Sequence, residues 1–231
     1  MNEHGHIVKS YDDEQKALLE QLIRMGQMSA AQLEAALDVV ERRDGKAAER
    51  VIGNDEAIDT LEQQINHDVI HLIRRGPLAG DLRMILAALR VASDIERIGD
   101  YAANIAKRSM ALNLSPPLPH TRGLDALGRM AVHQVRDVLE AYVNLDGEAA
   151  LQVRARDAEL DTLYTGLFRE LLTYMMEDAR AITPCTHLLF MAKNIERIGD
   201  HATNIAENIW FQLHGDEVMP AREKRDFTTP A

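Results

Sequence analysis

The sequence predicts an all-α fold of two pseudo-symmetric, antiparallel three-helix bundles. The composition favours helix, because Ala, Leu, Glu, Arg and Met dominate it. Aromatic residues make up only 4% of the 231 residues, too few for a β-rich core built from Phe, Tyr and Trp. The third observation is an internal repeat, since residues 92–106 and 192–206 are identical at 11 of 15 positions. A repeated segment of this length indicates a duplicated structural unit.

The repeat extends upstream at an offset of 102 residues instead of 100. Asp44-Gly45 corresponds to Asp146-Gly147, and residues 55–61 correspond to residues 157–163. The difference of two residues falls in the loops at residues 74–80 and 179–184. The predicted organisation is a first repeat over residues 1–112, a proline-rich linker over 113–119, a second repeat over 120–213 and a polar tail over 214–231 that we expect to be mobile.

Three helices are predicted in the first repeat. Residues 12–42 form the first, which ends at the turn Asp44-Gly45. Residues 46–74 form the second, and Gly76-Pro77 ends it because proline lacks a backbone N–H and crowds the preceding residue. Residues 81–111 form the third. Apolar residues at helical spacing support these helices: Leu18, Leu22, Met25, Leu33, Leu37 and Val40, then Val51, Ile58, Ile65 and Leu72, then Leu82, Ile85, Leu86, Leu89, Ile95, Ile98, Ala102 and Ile105.

The second repeat follows the same plan. Its helices are predicted over residues 124–143, 148–178 and 184–213. Short loops between long helices are typical of antiparallel bundles. We therefore expect two three-helix bundles placed end to end.

Charge and cysteine content exclude several classes of protein. The formal net charge is −11, which disfavours nucleic-acid binding and favours cations or basic partner surfaces. Cys185 is the single cysteine, so an internal disulfide and a Cys-rich zinc site are excluded. The start of the chain has no apolar core of a signal peptide, and no apolar run approaches a membrane span of about 18 residues. We expect a cytoplasmic protein.

The strongest chemical signal is a pair of carboxylates four residues apart, present in both repeats. Glu96 and Asp100 form the first pair, and Glu196 and Asp200 form its copy. A separation of four residues rises about 6 Å along a helix and returns to the same face. Asn104 and Asn204 lie one further turn along.

The middle helices carry complementary pairs. Asp55 and Asp59 lie in the first repeat, and Asp157 and Asp161 lie in the second. If the second and third helices of a repeat pack together, four carboxylates converge and repel one another. Bound cations would relieve this repulsion, and oxygen ligands suit Mg²⁺, Mn²⁺ or iron. The alternative is that the repeated arginine, Arg97 or Arg197, neutralises the carboxylates as an ion pair.

Other residues allow two interpretations each. Gly99 and Gly199, inside the third helices, indicate either close approach of a neighbouring helix or room for a metal-bound species. His67 and His71 have the spacing of a zinc-binding pair, but Asp68 replaces the glutamate of that motif, and we expect surface histidines. Cys185 is expected to be a small packed residue and not a reactive thiol.

The motifs resemble the PhoU family of bacterial phosphate-signalling regulators. The resemblance runs from His6-Ile7-Val8-Lys9-Ser10-Tyr11-Asp12 to about residue 211. It includes the turn Pro77-Leu78-Ala79-Gly80-Asp81-Leu82-Arg83 and both E-R-I-G-D-x-A-x-N-I-A segments. It implies pseudo-symmetric bundles with metal clusters on the E(D)-x-x-x-D motifs. The metal ligands it implies are Asp55, Asp59, Glu96, Asp100, Asp157, Asp161, Glu196 and Asp200, with Mg, Mn, Fe or Zn as possible ions.

The same resemblance implies a function without catalysis. Expected partners are the ATPase subunit of the high-affinity phosphate transporter and the phosphate-sensing histidine kinase, with a homodimer as the expected assembly. The first interpretation is therefore an adaptor that inhibits kinase signalling and phosphate uptake when phosphate is plentiful. The alternatives are a metalloenzyme that uses the carboxylates and a metal-free helical scaffold.

Overall fold

Six α-helices form the described chain, a computed structural model that covers residues 3–77, 79–116, 122–215 and 217–220. No residue within these ranges lies in a β-strand, which confirms the predicted all-α class. A short 3₁₀ turn, Ala179–Ala181, precedes the last helix. The helices are α1 Glu3–Arg42, α2 Gly45–Arg74, α3 Ala79–Leu112, α4 Arg122–Asn144, α5 Gly147–Glu177 and α6 Ile182–His214.

The turns after α1 and α4 are equivalent in the two repeats. Asp44 caps α2 by accepting a hydrogen bond from the backbone N–H of Ala47 at 3.0 Å. Asp146 caps α5 in the same way, from Glu148 and Ala149 at 3.0 Å each. The left-handed backbone of each turn falls on the residue before the aspartate and not on the glycine after it: φ is 54° at Arg43 and 49° at Leu145.

The two repeats pack side by side, and the expectation of end-to-end bundles was wrong. The most extensive contact between any two described helices joins α3 to α6, and α1 also contacts α4. The contact includes charged and aromatic side chains, since the guanidinium of Arg108 lies 4.1 Å from the ring centroid of Phe190 and that of Arg90 lies 5.0 Å from the ring centroid of Phe211. The α3 and α6 helices are thus apolar on the face toward their own bundle and carry charged and aromatic side chains at the contact with the other repeat.

Part of the predicted mobile tail lies against the second repeat. The indole N–H of Trp210 donates to the backbone carbonyl of Glu217 at 3.1 Å, and the guanidinium of Arg154 donates to the carbonyl of Pro220. Met219 is buried between these contacts. Residues 221–231 lie outside the described residues, as do residues 117–119 of the predicted linker. No described helix is long and apolar enough to cross a membrane.

Removal of the Asp146 cap should destabilise the second repeat. We expect Asp146→Ala to lower the free energy of unfolding by about 1 kcal/mol, because two N–H groups lose their acceptor. Urea unfolding followed by circular dichroism measures this change. Asp146→Asn keeps an acceptor oxygen and should retain most of the stability. Equal loss in both variants would contradict the role of the cap.

Candidate metal centres

The fold brings the predicted carboxylates together in two groups. The first cluster consists of Asp55 and Asp59 on α2 with Glu96 and Asp100 on α3. Burial raises the pKa of Asp55, Asp59 and Glu96, and the negative charge of Asp100 raises each of them further. The pKa of Glu96 rises to about 7. The causes of these shifts indicate that the four side chains lie close together in one partly buried groove.

The second cluster lies in the equivalent place between α5 and α6. It consists of Asp157, Asp161, Glu196 and Asp200. Burial raises the pKa of Glu196, its hydrogen bond with Lys193 lowers it, and the charges of Asp200 and Asp161 raise it again. The ammonium of Lys193 lies 2.8 Å from a carboxylate oxygen of Glu196. All eight residues named as ligand candidates therefore lie in one of two clusters.

The two repeated arginines behave differently. The guanidinium of Arg97 donates to Asp100 at 3.1 Å and lies 3.5 Å from Glu96, so it forms the ion pairs foreseen as the alternative to metal. Arg97 is about half exposed, and an ion pair of this kind is weak in water. Arg197 instead donates to the hydroxyl of Tyr101 at 3.1 Å, across the contact between the repeats.

Two glutamines contact the clusters, and sequence reasoning missed both. The side-chain amide of Gln32, on α1, donates to Asp55 at 2.8 Å and to the backbone carbonyl of Gly99 at 3.1 Å. Gln134, on α4, donates to Asp157 at 3.2 Å. The offset of 102 residues that relates the repeats also relates these glutamines, so the signal was present in the sequence. Each amide fixes one carboxylate oxygen and ties the first helix of its repeat to the site.

The glycines beside the clusters are required by packing. A Cβ atom on Gly99 would lie 3.0 Å from Ile58 Cδ1, and one on Gly199 would overlap the buried side chain of Leu160. The same Cβ on Gly199 would lie 3.1 Å from Asp157 Oδ1. Of the two interpretations, the structure supports close approach of the neighbouring helix, made by its side chains. The glycines hold each pair of helices close enough for their carboxylates to meet.

The donor atoms fit hard cations, although a formed ion site is not present. Within the described residues, no three Asp, Glu, His or Cys side chains converge at the spacing that holds an ion. Asn204 does not extend the second cluster, because its amide donates to Asp94 at 3.2 Å across the repeat contact. The carboxylates are close enough for the charge of one to raise the pKa of another. Carboxylate oxygens are the ligands that Mg²⁺ and Mn²⁺ prefer.

The two histidines of the zinc-like motif lie on the surface and the cysteine is packed in the core, as the sequence predicted. His67 and His71 are both exposed, and His71 lies 3.6 Å from a carboxylate oxygen of Glu14. Cys185 is buried in the core, and burial raises the pKa of its thiol. A buried thiol with a raised pKa is a poor nucleophile.

A duplicated three-helix unit, with an acidic seam between its second and third helices, defines a class of six-helix proteins in which the repeats pack through their third helices. A family model described as "PhoU domain" matches residues 22–109 and 124–209, once in each repeat. The chain belongs to the PhoU family.

Relatives of the chain cover nearly its whole length. It is 66% identical over 224 residues to the phosphate-specific transport system accessory protein PhoU homolog of Xylella fastidiosa strain 9a5c, covering 97% of this chain and 95% of that one. The crystal structure of PhoU from Pseudomonas aeruginosa superposes with a TM-score of 0.86 at 32% identity, covering 89% of this chain and 99% of that one.

A second solved structure has a more distant sequence and the same fold. The phosphate transport system regulatory protein PhoU from Streptococcus pneumoniae superposes with a TM-score of 0.85 at 26% identity, covering 91% of this chain and 100% of that one. These relatives are named as accessory and regulatory proteins. The family membership confirms the expectation that the chain is not an enzyme.

The raised pKa of Glu96 predicts a stability that depends on pH. Its folded-state pKa of about 7 exceeds the ordinary 4.5, so the folded chain holds this proton more tightly than the unfolded chain. The stabilisation is complete below the ordinary pKa and is lost as the pH rises through about 7. Without added metal, Glu96→Gln should therefore raise the urea midpoint at pH 8, and the gain should shrink towards pH 5.

The control for this prediction is an exposed glutamate on the same helix pair. Glu49, on α2, is exposed and belongs to neither cluster. Urea unfolding of Glu49→Gln at both pH values should match the unmodified chain. If Glu96→Gln also unfolds like the unmodified chain at pH 8, the first cluster does not impose the predicted repulsion.

Proposed function

We propose that this chain is a cytoplasmic accessory protein of a phosphate-specific transport system, which represses phosphate uptake and phosphate-starvation signalling when phosphate is plentiful. The observation that carries the proposal is 66% identity, over 97% of the chain, to a protein named as an accessory protein of that system. In this proposal the chain acts as an adaptor. It contacts the ATPase subunit of the transporter and the phosphate-sensing histidine kinase.

The charge of the chain supports recognition by contact with basic surfaces. The formal net charge is −11 over 231 residues. Acidic surfaces of this kind steer association with basic patches, and the attraction is screened by salt. We therefore propose that the partner surfaces are basic cytoplasmic faces of the kinase and the ATPase. A homodimer stays a prediction, which sedimentation of the purified protein would test.

Metal binding is the second part of the proposal. A hard divalent cation held by the first cluster would join α2 to α3 through Asp55, Asp59, Glu96 and Asp100. The donor chemistry supports this assignment, because four carboxylates lie in one half-buried groove, and the pKa of Asp55, Asp59 and Glu96 is raised there by burial and by the charge of Asp100. The hydrogen bond from Gln32 orients Asp55 toward that groove. Joining the two helices would fix the shape of the surface that partners contact.

Removal of two carboxylates should abolish cation binding in the first repeat. We expect Glu96→Gln with Asp100→Asn to weaken Mn²⁺ binding there by more than about 100-fold. Loss of a residue that only supports a ligand costs roughly 10–100-fold in affinity, and these two residues are proposed as ligands themselves. Calorimetric titration of protein freed of metal measures the affinity. Asp38→Asn with Glu49→Gln removes the same charge from exposed positions and should leave the affinity unchanged. If the unmodified protein binds no cation, the metal-free scaffold is correct.

Deletion of the gene should leave phosphate-starvation genes active in phosphate-rich medium. The physical reason is that the kinase loses the partner that holds it in its inhibitory state. Transcript levels measured at high phosphate test this, and restoring the gene should silence the response. Normal repression in the deletion strain, and in a strain that also lacks any second copy, would contradict the proposed role.

A further inference from the structure

The two clusters differ in how deeply they are buried. In the second cluster, Asp157, Asp161 and Glu196 are only 2%, 5% and 5% exposed. In the first cluster all four residues are half-buried, and the side chains of Glu96 and Asp100 are 22% and 36% exposed. Carboxylates as deeply buried as those of the second cluster need a compensating positive charge close by.

Lys193 supplies that charge within the second repeat. Its ammonium lies 2.8 Å from Glu196, which is one turn further along α6. The same ammonium lies 5.1 Å from the ring centroid of Tyr164, a cation–π contact with α5. Tyr164 is buried and lies one turn after Asp161 on α5. The lysine is therefore held between the two helices that carry the cluster.

The first repeat has different residues at both positions. Ser93 corresponds to Lys193 at the offset of 100, and Glu62 corresponds to Tyr164 at the offset of 102. Ser93 is exposed and uncharged. The charge of Glu62 is close enough to contribute to the raised pKa of Asp59 and of Glu96, after burial and the charge of Asp100. Where the second repeat places an ammonium and an aromatic ring, the first repeat places a hydroxyl and a further carboxylate.

The arginines complete the contrast between the repeats. Arg97, the cation that contacts the first cluster, is an exposed side chain that can move into solvent. Arg197 is instead engaged with Tyr101 of the other repeat, with its guanidinium 5.8 Å from the ring centroid. The counter-charge of the first cluster is thus easily displaced. The counter-charge of the second cluster contacts both helices, and its side chain is 36% exposed, against 54% for Arg97.

We propose that Lys193 is the built-in counter-ion of the second cluster, so that this chain takes up divalent cations chiefly at the first cluster, and that Lys193 with Tyr164 determines this difference between the repeats. The proposal rests on the proposed metal binding of the first cluster. A cation entering the second cluster has to displace an ammonium that lies 2.8 Å from the buried carboxylate of Glu196 and rests against the ring of Tyr164. A cation entering the first cluster displaces exposed side chains, those of Arg97 and of Lys107, whose positive charge also reaches this cluster.

Mn²⁺ binding to variants of the full chain tests the proposal, with bound ions counted by electron paramagnetic resonance. The background variant Glu96→Gln with Asp100→Asn removes the first cluster, so any remaining high-affinity binding reports the second. In that background we expect Lys193→Ser, which copies the first repeat, to increase affinity for Mn²⁺ by about tenfold or more. Lys193→Met keeps the apolar stem against Tyr164 and should give the same gain if the serine variant folds poorly.

The chain also offers a charge-matched control and a reciprocal exchange. Lys46→Ser removes one exposed positive charge from α2, away from both clusters, and should not change Mn²⁺ binding. Ser93→Lys with Glu62→Tyr places the residues of the second repeat in the first and should weaken binding at the first cluster by about tenfold or more. Circular dichroism confirms that each variant is helical before it is titrated.

Each outcome decides the proposal separately from metal binding itself. A gain on removing Lys193, together with a loss in the reciprocal exchange, supports the assignment. Equal binding by both clusters in the unmodified chain, or no gain on removing Lys193, overturns it, even where the first cluster binds Mn²⁺ as proposed. If the first cluster binds nothing and Lys193→Ser creates a site in the second, the metal proposal for the first repeat fails while the role of Lys193 stands.

Discussion

The mutual repulsion of carboxylates at the seam between two packed helices is the constraint on which the rest of this structure depends. Apolar packing holds α2 against α3, and α5 against α6, with glycines at the closest contacts. That packing forces four acidic side chains into each seam. The fold stabilises them with donors from several elements: an amide from the first helix, an arginine in one repeat and a lysine in the other. Cations added from solution would offset the negative charge of the same carboxylates.

The contact between α3 and α6 places the two seams in one rigid core. Residues next to the clusters form this contact, since His201 Nδ1 lies 2.8 Å from Asp94 Oδ1 and its ring lies 5.7 Å from that of Tyr101. Tyr101 and His201 occupy equivalent positions in the two repeats, so the two copies carry different side chains at this position of the contact. The two repeats are therefore joined by polar contacts as well as through the core. Such a linkage suits a protein that regulates by changing the shape of its surface.

Periodicity and duplication predicted the helices and the grouping of the eight carboxylates, because both depend on local spacing and on packing within one repeat. They could not predict the side-by-side arrangement of the repeats, because that contact joins residues of different repeats, such as Arg108 and Phe190, which no local spacing relates. The contribution of Gln32 and Gln134 was visible only as a matched pair at the offset of 102. The role of Lys193 could be recognised only from the three-dimensional structure, because its partner Tyr164 lies on a different helix. Only their contact distinguishes a counter-ion from a surface lysine.

The central claim is that the first cluster completes its charge balance with a cation and the second completes it with Lys193. Anomalous diffraction from crystals of the unmodified protein grown with Mn²⁺ tests this most directly, because it locates each ion. The account predicts strong anomalous density among Asp55, Asp59, Glu96 and Asp100, and little or none beside Glu196, where the ammonium of Lys193 should remain. Equal density in both clusters, or density in the second cluster alone, would contradict it.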